Sequence, residues 1–138
     1  MIPFSRREMT RAWTTASQAA QVTPRTNAHR LLLFYAVECG LKASYMKRCN
    51  MDPIGNHPPE LITHDLNRIL ALLHVGGHLS LPSQMRLPSF KNPLLQRSCN
   101  VGEINQVWRY GGSLEDPTDF ALEQGLEAIQ HWISKELQ

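Results

Sequence analysis

The chain has 138 residues, 42% of them hydrophobic and 19% charged; this balance excludes a disordered chain and suits one folded domain spanning 1–138. Its three cysteines, Cys39, Cys49 and Cys99, form no C-x-x-C pair, which argues against a secreted disulfide framework and for reduced thiols. The net charge of +2 is spread unevenly. Residues 1–37 hold five arginines against one glutamate. Residues 66–102 hold Arg68, Arg86, Lys91 and Arg97 and no acid, and residues 103–138 hold seven acids against Arg109 and Lys135. Such asymmetry marks either a basic face for nucleic acid or segments that pair with each other in the fold. A pI near 8.6 favours the pairing.

The first helix opens at Ser5-Arg-Arg-Glu8, a capping box, with Phe4 and Met9 placed as a hydrophobic staple. Met9, Trp13, Ala16 and Ala20 then share one face. Thr23-Pro24 reads as the N-cap and first position of a second helix running to about Asn50. Its centre, Leu31 to Val37, is apolar all round and requires neighbours on every side. Glu38 and Lys42 stand four apart in the favourable order for an ion pair on a face that otherwise reads as buried. With Tyr35 they make a candidate pocket.

Three prolines between Met51 and Pro59 predict a loop. Thr63 is placed to cap a third helix with Leu66, Ile69, Leu70 and Leu73 on its face and Gly76-Gly77 as its stop. Pro82, Pro88 and Pro93 then forbid a long helix, so 76–98 reads as an irregular basic loop. A short helix follows from Val101 to Tyr110, ended by Gly111-Gly112. Asp116-Pro117 reads as the start of a final helix with a stripe of Leu122, Leu126, Ile129, Ile133 and Leu137. Gly125 inside it predicts a close helix–helix approach. The expected fold is all-α, with five helical segments and no strand.

Three segments stand in order along the chain: His29-Arg-Leu-Leu-Leu-Phe-Tyr-Ala-Val-Glu-Cys-Gly-Leu-Lys-Ala43, then Thr63-His-Asp-Leu-Asn-Arg-Ile-Leu70, then Trp108-Arg-Tyr110. In this order they resemble the HEPN domain family. The resemblance implies an up-and-down bundle of four to five helices that dimerises. It implies metal-independent ribonuclease activity in some members, and in others binding of RNA, a nucleotide or a nucleotidyltransferase-like or other defence-system partner. Catalytic members carry R-x4-6-H at the start of the last helix. Arginine holds the scissile phosphate there, and histidine moves the proton. Arg109 is present with Tyr110 beside it, but no histidine follows at that spacing.

Arg68 and His74 have the spacing but lie in the third helix. The expected function is therefore a binding subunit of a prokaryotic defence or toxin–antitoxin module. The alternative is a ribonuclease using Arg109 and Tyr110, or Arg68 and His74. Arg86, Lys91 and Arg97 would contact RNA in either case.

His74 and His78 stand four apart, yet Gly76-Gly77 between them argues against a helical metal site. No phosphate-binding glycine loop is present. No cofactor or metal is expected. The first residues hold no apolar run of signal-peptide length, and none elsewhere reaches the roughly 20 residues of a membrane span. A soluble cytoplasmic protein without a membrane partner is expected.

Overall fold

The computed structural model describes residues 3–51, 61–91 and 96–138. The proline-rich segment between Met51 and Pro59 falls, from residue 52 on, outside them. The described residues are mostly helical: α1 (Arg6–Ala19), α2 (Asn27–Arg48), α3 (Leu66–Leu72), α4 (Ile104–Arg109) and α5 (Asp119–Glu136). Short 3-10 turns at Gly77–Leu79 and Val101–Glu103 precede the hairpin and α4. Within the stretch read as an irregular loop, β1 (Met85–Leu87) pairs antiparallel with β2 (Arg97–Cys99). Met85 and Leu87 point into the core while Arg86 points out, the alternation of a half-buried strand. Three residues flanked by prolines are too few for that alternation to stand out in the sequence.

α2 is the central element, packed by α1, α3, α4 and α5, as its all-round apolar centre requires. Phe34, Ala36, Val37, Leu41 and Met46 are fully buried in it. Each large side chain among them contributes about 1.5–3 kcal/mol on burial. One contiguous core joins α2 to Met9, Leu66, Ile69, Trp108, Leu122, Leu126 and Ile133. Gly40 lets three helices meet. A Cβ there would lie 2.7 Å from Trp13 of α1 and 2.8 Å from Ile133 of α5. Gly125, by contrast, makes room for Leu81 in the connecting segment (3.0 Å) rather than for another helix.

The helix ends explain where sequence boundaries shift. α1 begins as expected, with both bonds of the Ser5–Glu8 capping box made. α2 starts three residues later than the Thr23 reading. Thr26 caps it by accepting from His29 N–H, and His29 Nδ1 faces the Thr26 backbone N–H at 3.2 Å. Thr63 does not cap α3. Asp65 does, accepting from Asn67 N–H, and Thr63 accepts from Asp65 N–H. α5 is capped by Thr118, not Asp116, because Asp116 is held in a β-bridge to Arg86.

α3 ends before its glycines. His74 adopts φ 55°, and the N–H groups of His74 and Val75 return to the carbonyls of Ala71 and Leu70. Asn50 (φ 51°) ends α2 and Gly111 (φ 79°) ends α4 with the same return bond, from Met51 to Met46 and from Gly112 to Val107.

Part of the uneven charge is internal pairing. Arg25 and Arg30 both donate to Glu123, at 3.1 and 3.0 Å, and Arg25 also reaches Glu127. Arg48 bonds Glu136 (2.6 Å) and the Leu73 carbonyl (2.5 Å) and lies over Trp132. Lys47 donates to the carbonyls of Glu136 and Gln138 at the end of α5. Among the described residues no ion pair involves Arg6, Arg7 or Arg11. No described helix is long and apolar enough to cross a membrane.

Candidate functional site on one face of the central helix

Tyr35, Glu38 and Lys42 recur at intervals of three and four, which places them on one face of α2. Glu38 and Lys42 are 9% and 6% exposed. The Lys42 ammonium donates to Glu38 Oε2 at 3.2 Å. The other carboxylate oxygen, Oε1, lies 2.6 Å from Nδ1 of His64, one residue before the α3 cap. With Glu38 ionised the bond runs from Nδ1–H to the carboxylate, which fixes the tautomer and leaves Nε2 as the free nitrogen. The His64 side chain is 56% exposed, so the imidazole stands at the surface on a buried carboxylate.

One turn toward the start of α2, Tyr35 holds a second group. Arg109, the last residue of α4, donates from Nη2 to the Tyr35 hydroxyl at 2.7 Å. Hydrogen bonds to Tyr35 and then to Tyr110 hold the Arg109 pKa above the ordinary arginine range. Its guanidinium is charged, as an arginine's is at any ordinary pH, and the residue is exposed. Tyr110, the cap of α4, is also exposed. Asn105, one turn earlier on α4, buries its Oδ1 with no donor among the described residues.

A cleft of about 610 Å³ opens beside this face, between α1 and α2. Phe4, Met9, Ala12 and Cys39 give it apolar walls, and Glu38, Lys42, Glu8 and Arg11 give it charge. Burial, then the neighbouring Glu38 carboxylate, pushes the Cys39 thiol pKa up. Cys39 is thus a wall and not a thiolate nucleophile at neutral pH.

Of the expected pocket residues, Glu38 and Lys42 pair with each other and line the cleft, while Tyr35 holds Arg109 instead. The other sequence candidates lie elsewhere. Arg68 is exposed on α3, and His74 is exposed beyond that helix at its left-handed terminus. Their helical spacing does not survive, because the helix ends between them. Arg86 points outward from β1, 3.8 Å from Glu115. Arg97 donates to the Pro88 carbonyl at 3.2 and 2.8 Å and lies over the Phe90 ring, 4.2 Å from its centre. That guanidinium orders the hairpin. Lys91 is exposed.

His64 is the residue that sequence reasoning passed over as a site. It sits inside the Thr63-His-Asp-Leu motif, but its partner Glu38 lies 26 positions away, and no local spacing signals the pair. Among the described residues no group of three potential metal ligands occurs. No family model, curated protein or solved structure matches this chain.

Proposed function

We propose that the chain is a HEPN-type helical subunit that binds RNA at the Tyr35–Arg109 face of α2, as part of a prokaryotic defence or toxin–antitoxin module. The carrying observation is Arg109, exposed, charged and held at 2.7 Å by Tyr35. A fixed guanidinium of this kind presents its remaining donors in a fork that fits phosphate oxygens. Two further features support the reading. The cleft beside Glu38 and Lys42 offers apolar walls to an unstacked base, and Arg11 at its lining offers a cation to the backbone. Arg6, Arg7 and Arg11 on α1 also make no ion pair among the described residues, unlike Arg30 and Arg48 of α2. A homodimer, and a nucleotidyltransferase-like or other defence-system partner, belong to the same proposal. Exposed Ile62, Phe90, Tyr110 and Phe120 are the side chains such contacts would cover.

Binding of a labelled single strand of RNA, followed across a salt series, tests this. Binding should weaken with salt, and Arg109→Ala should lower affinity about tenfold and reduce the salt slope by about one. Salt-independent binding, or an unchanged slope in the variant, would count against the site.

A second reading, a metal-independent ribonuclease, is favoured by the same Arg109. Held by Tyr35 with Tyr110 beside it, it suits stabilising the charge of a phosphodiester transition state as well as binding the ground state. Cleavage of RNA and not of matching DNA in EDTA, lost in Arg109→Ala, is its test.

A further inference from the structure

α1 packs on α2, and the two leave the cleft of about 610 Å³ between them. That volume lies within the roughly 300–1,000 Å³ that small-molecule sites occupy. Its hydrogen-bonding capacity is lopsided. Both carboxylates in its lining are engaged. Glu38 Oε2 accepts from Lys42 at 3.2 Å and Oε1 lies 2.6 Å from His64 Nδ1, while Glu8 Oε1 accepts from the Ser5 N–H at 3.0 Å. The cations have donors to spare. Arg11 makes no ion pair among the described residues. Lys42 is 6% exposed, and its ammonium, which carries three N–H donors, makes one hydrogen bond among the described residues, the one to Glu38. Leaving donors of a buried ammonium unused is costly, and an acceptor in the cleft relieves that cost.

The remaining walls are apolar: Phe4, Met9, Ala12 and Cys39. Phe4 is still 37% exposed, so apolar surface at the cleft stays uncovered. We infer that this cleft is a binding site for a small organic carboxylic acid, its carboxylate on the Lys42 ammonium and the exposed Arg11 guanidinium, its apolar body against Phe4, Met9 and Ala12. The two oxygens of one carboxylate match the unused donors of Lys42. A phosphate dianion would bring a second negative charge that no further cation of the lining balances. The inference does not rest on the RNA reading, which Arg109 carries. The acid and an RNA base would exclude each other from these walls.

The full chain is titrated by isothermal calorimetry with octanoate, hexanoate and 1-octanol, beside Ala12→Trp and Lys42→Met, each checked for native circular dichroism. The inference predicts saturable binding of one octanoate, about tenfold tighter than 1-octanol. Hexanoate, two methylenes shorter, should bind about fifteenfold more weakly, since each buried methylene is worth about fourfold. Ala12 is exposed on α1, so Ala12→Trp fills the cleft without disturbing the core and should abolish binding. Lys42→Met should lower octanoate to the affinity of the alcohol. Alkylation at mildly alkaline pH locates the ligand: saturating octanoate should protect Cys39, a wall of the cleft, and leave Cys49 and Cys99 at their free rates.

No saturable binding, equal affinities for acid and alcohol, unchanged binding in Ala12→Trp, or an unprotected Cys39 would each overturn the site. Should Lys42→Met fail to fold, since it removes the buried partner of Glu38, the acid-to-alcohol ratio and Ala12→Trp decide the matter.

Discussion

Replacing Gly40 by alanine sets two effects of known size against each other. In a helix interior alanine is favoured over glycine by about 1 kcal/mol, so an unconstrained site would gain that much. Gly40 is constrained. The added methyl would lie 2.7 Å from Trp13 Cδ1, 2.8 Å from Ile133 Cγ2 and 2.9 Å from Ile133 Cδ1, all inside van der Waals contact. Trp13 cannot swing freely, because its indole N–H donates to Gln130 Oε1 at 2.7 Å. Ile133 is fully buried. Overpacking of this kind costs about 1–3 kcal/mol, and more where α1 must move outward. The net expectation for Gly40→Ala is a loss of up to about 2 kcal/mol, a fall in Tm of up to roughly 7 °C for a domain of this size. Urea unfolding monitored by tryptophan fluorescence would measure it, since Trp13 is at the contact. A gain of about 1 kcal/mol would refute the three-helix junction. Gly125→Ala is the control, because only the end of the Leu81 side chain is close, and it should be near neutral.

His74→Gly should raise stability by about 0.5–1 kcal/mol, since a left-handed backbone costs an L-residue roughly 1–2 kcal/mol and glycine recovers most of that; a loss would show that the imidazole makes a stabilising contact. Glu123→Gln should cost about 2–3 kcal/mol in urea unfolding, less than a fully buried pair because Asp119 and Glu127 remain near the two arginines; a change under about 0.5 kcal/mol would mean that the network is solvated and weak. Alkylation mapped by mass spectrometry at neutral pH should reach exposed Cys49 first. Cys39 and Cys99, whose thiol pKa values burial raises, should follow only as pH climbs above the ordinary thiol range; equal rates at all three would contradict their burial.

The parts of this fold written in contiguous residues were readable before any coordinates. The Ser5–Glu8 cap, the apolar circumference of α2, the α5 stripe and the glycine stop after Tyr110 each depend on neighbours within a turn or two. The Glu38–Lys42 pair was readable for the same reason. Helix starts shifted wherever two candidate caps competed. Thr26 prevailed over Thr23, and Asp65 over Thr63. Thr118 prevailed over Asp116, because the β-bridge to Arg86 removed Asp116 from the helix. The left-handed stop at His74 was hidden because glycine, two residues further on, advertises that role more strongly. The hairpin was hidden by its short strands, and the His64–Glu38 and Arg109–Tyr35 pairs by their distance along the chain. The candidate site was thus legible in Tyr35, Glu38, Lys42 and Arg109 taken singly, and illegible in His64 and in the pairings that join α2 to α3 and α4.

The most direct test of the site is a titration of isotope-labelled protein with a short single-stranded RNA, followed by amide chemical shifts. The account predicts the largest changes at His64, Arg109 and Tyr110, with smaller ones along the α1 residues that line the cleft, and their loss at high salt. Changes centred on the β1–β2 hairpin or the outer face of α5, or no changes at all, would contradict it.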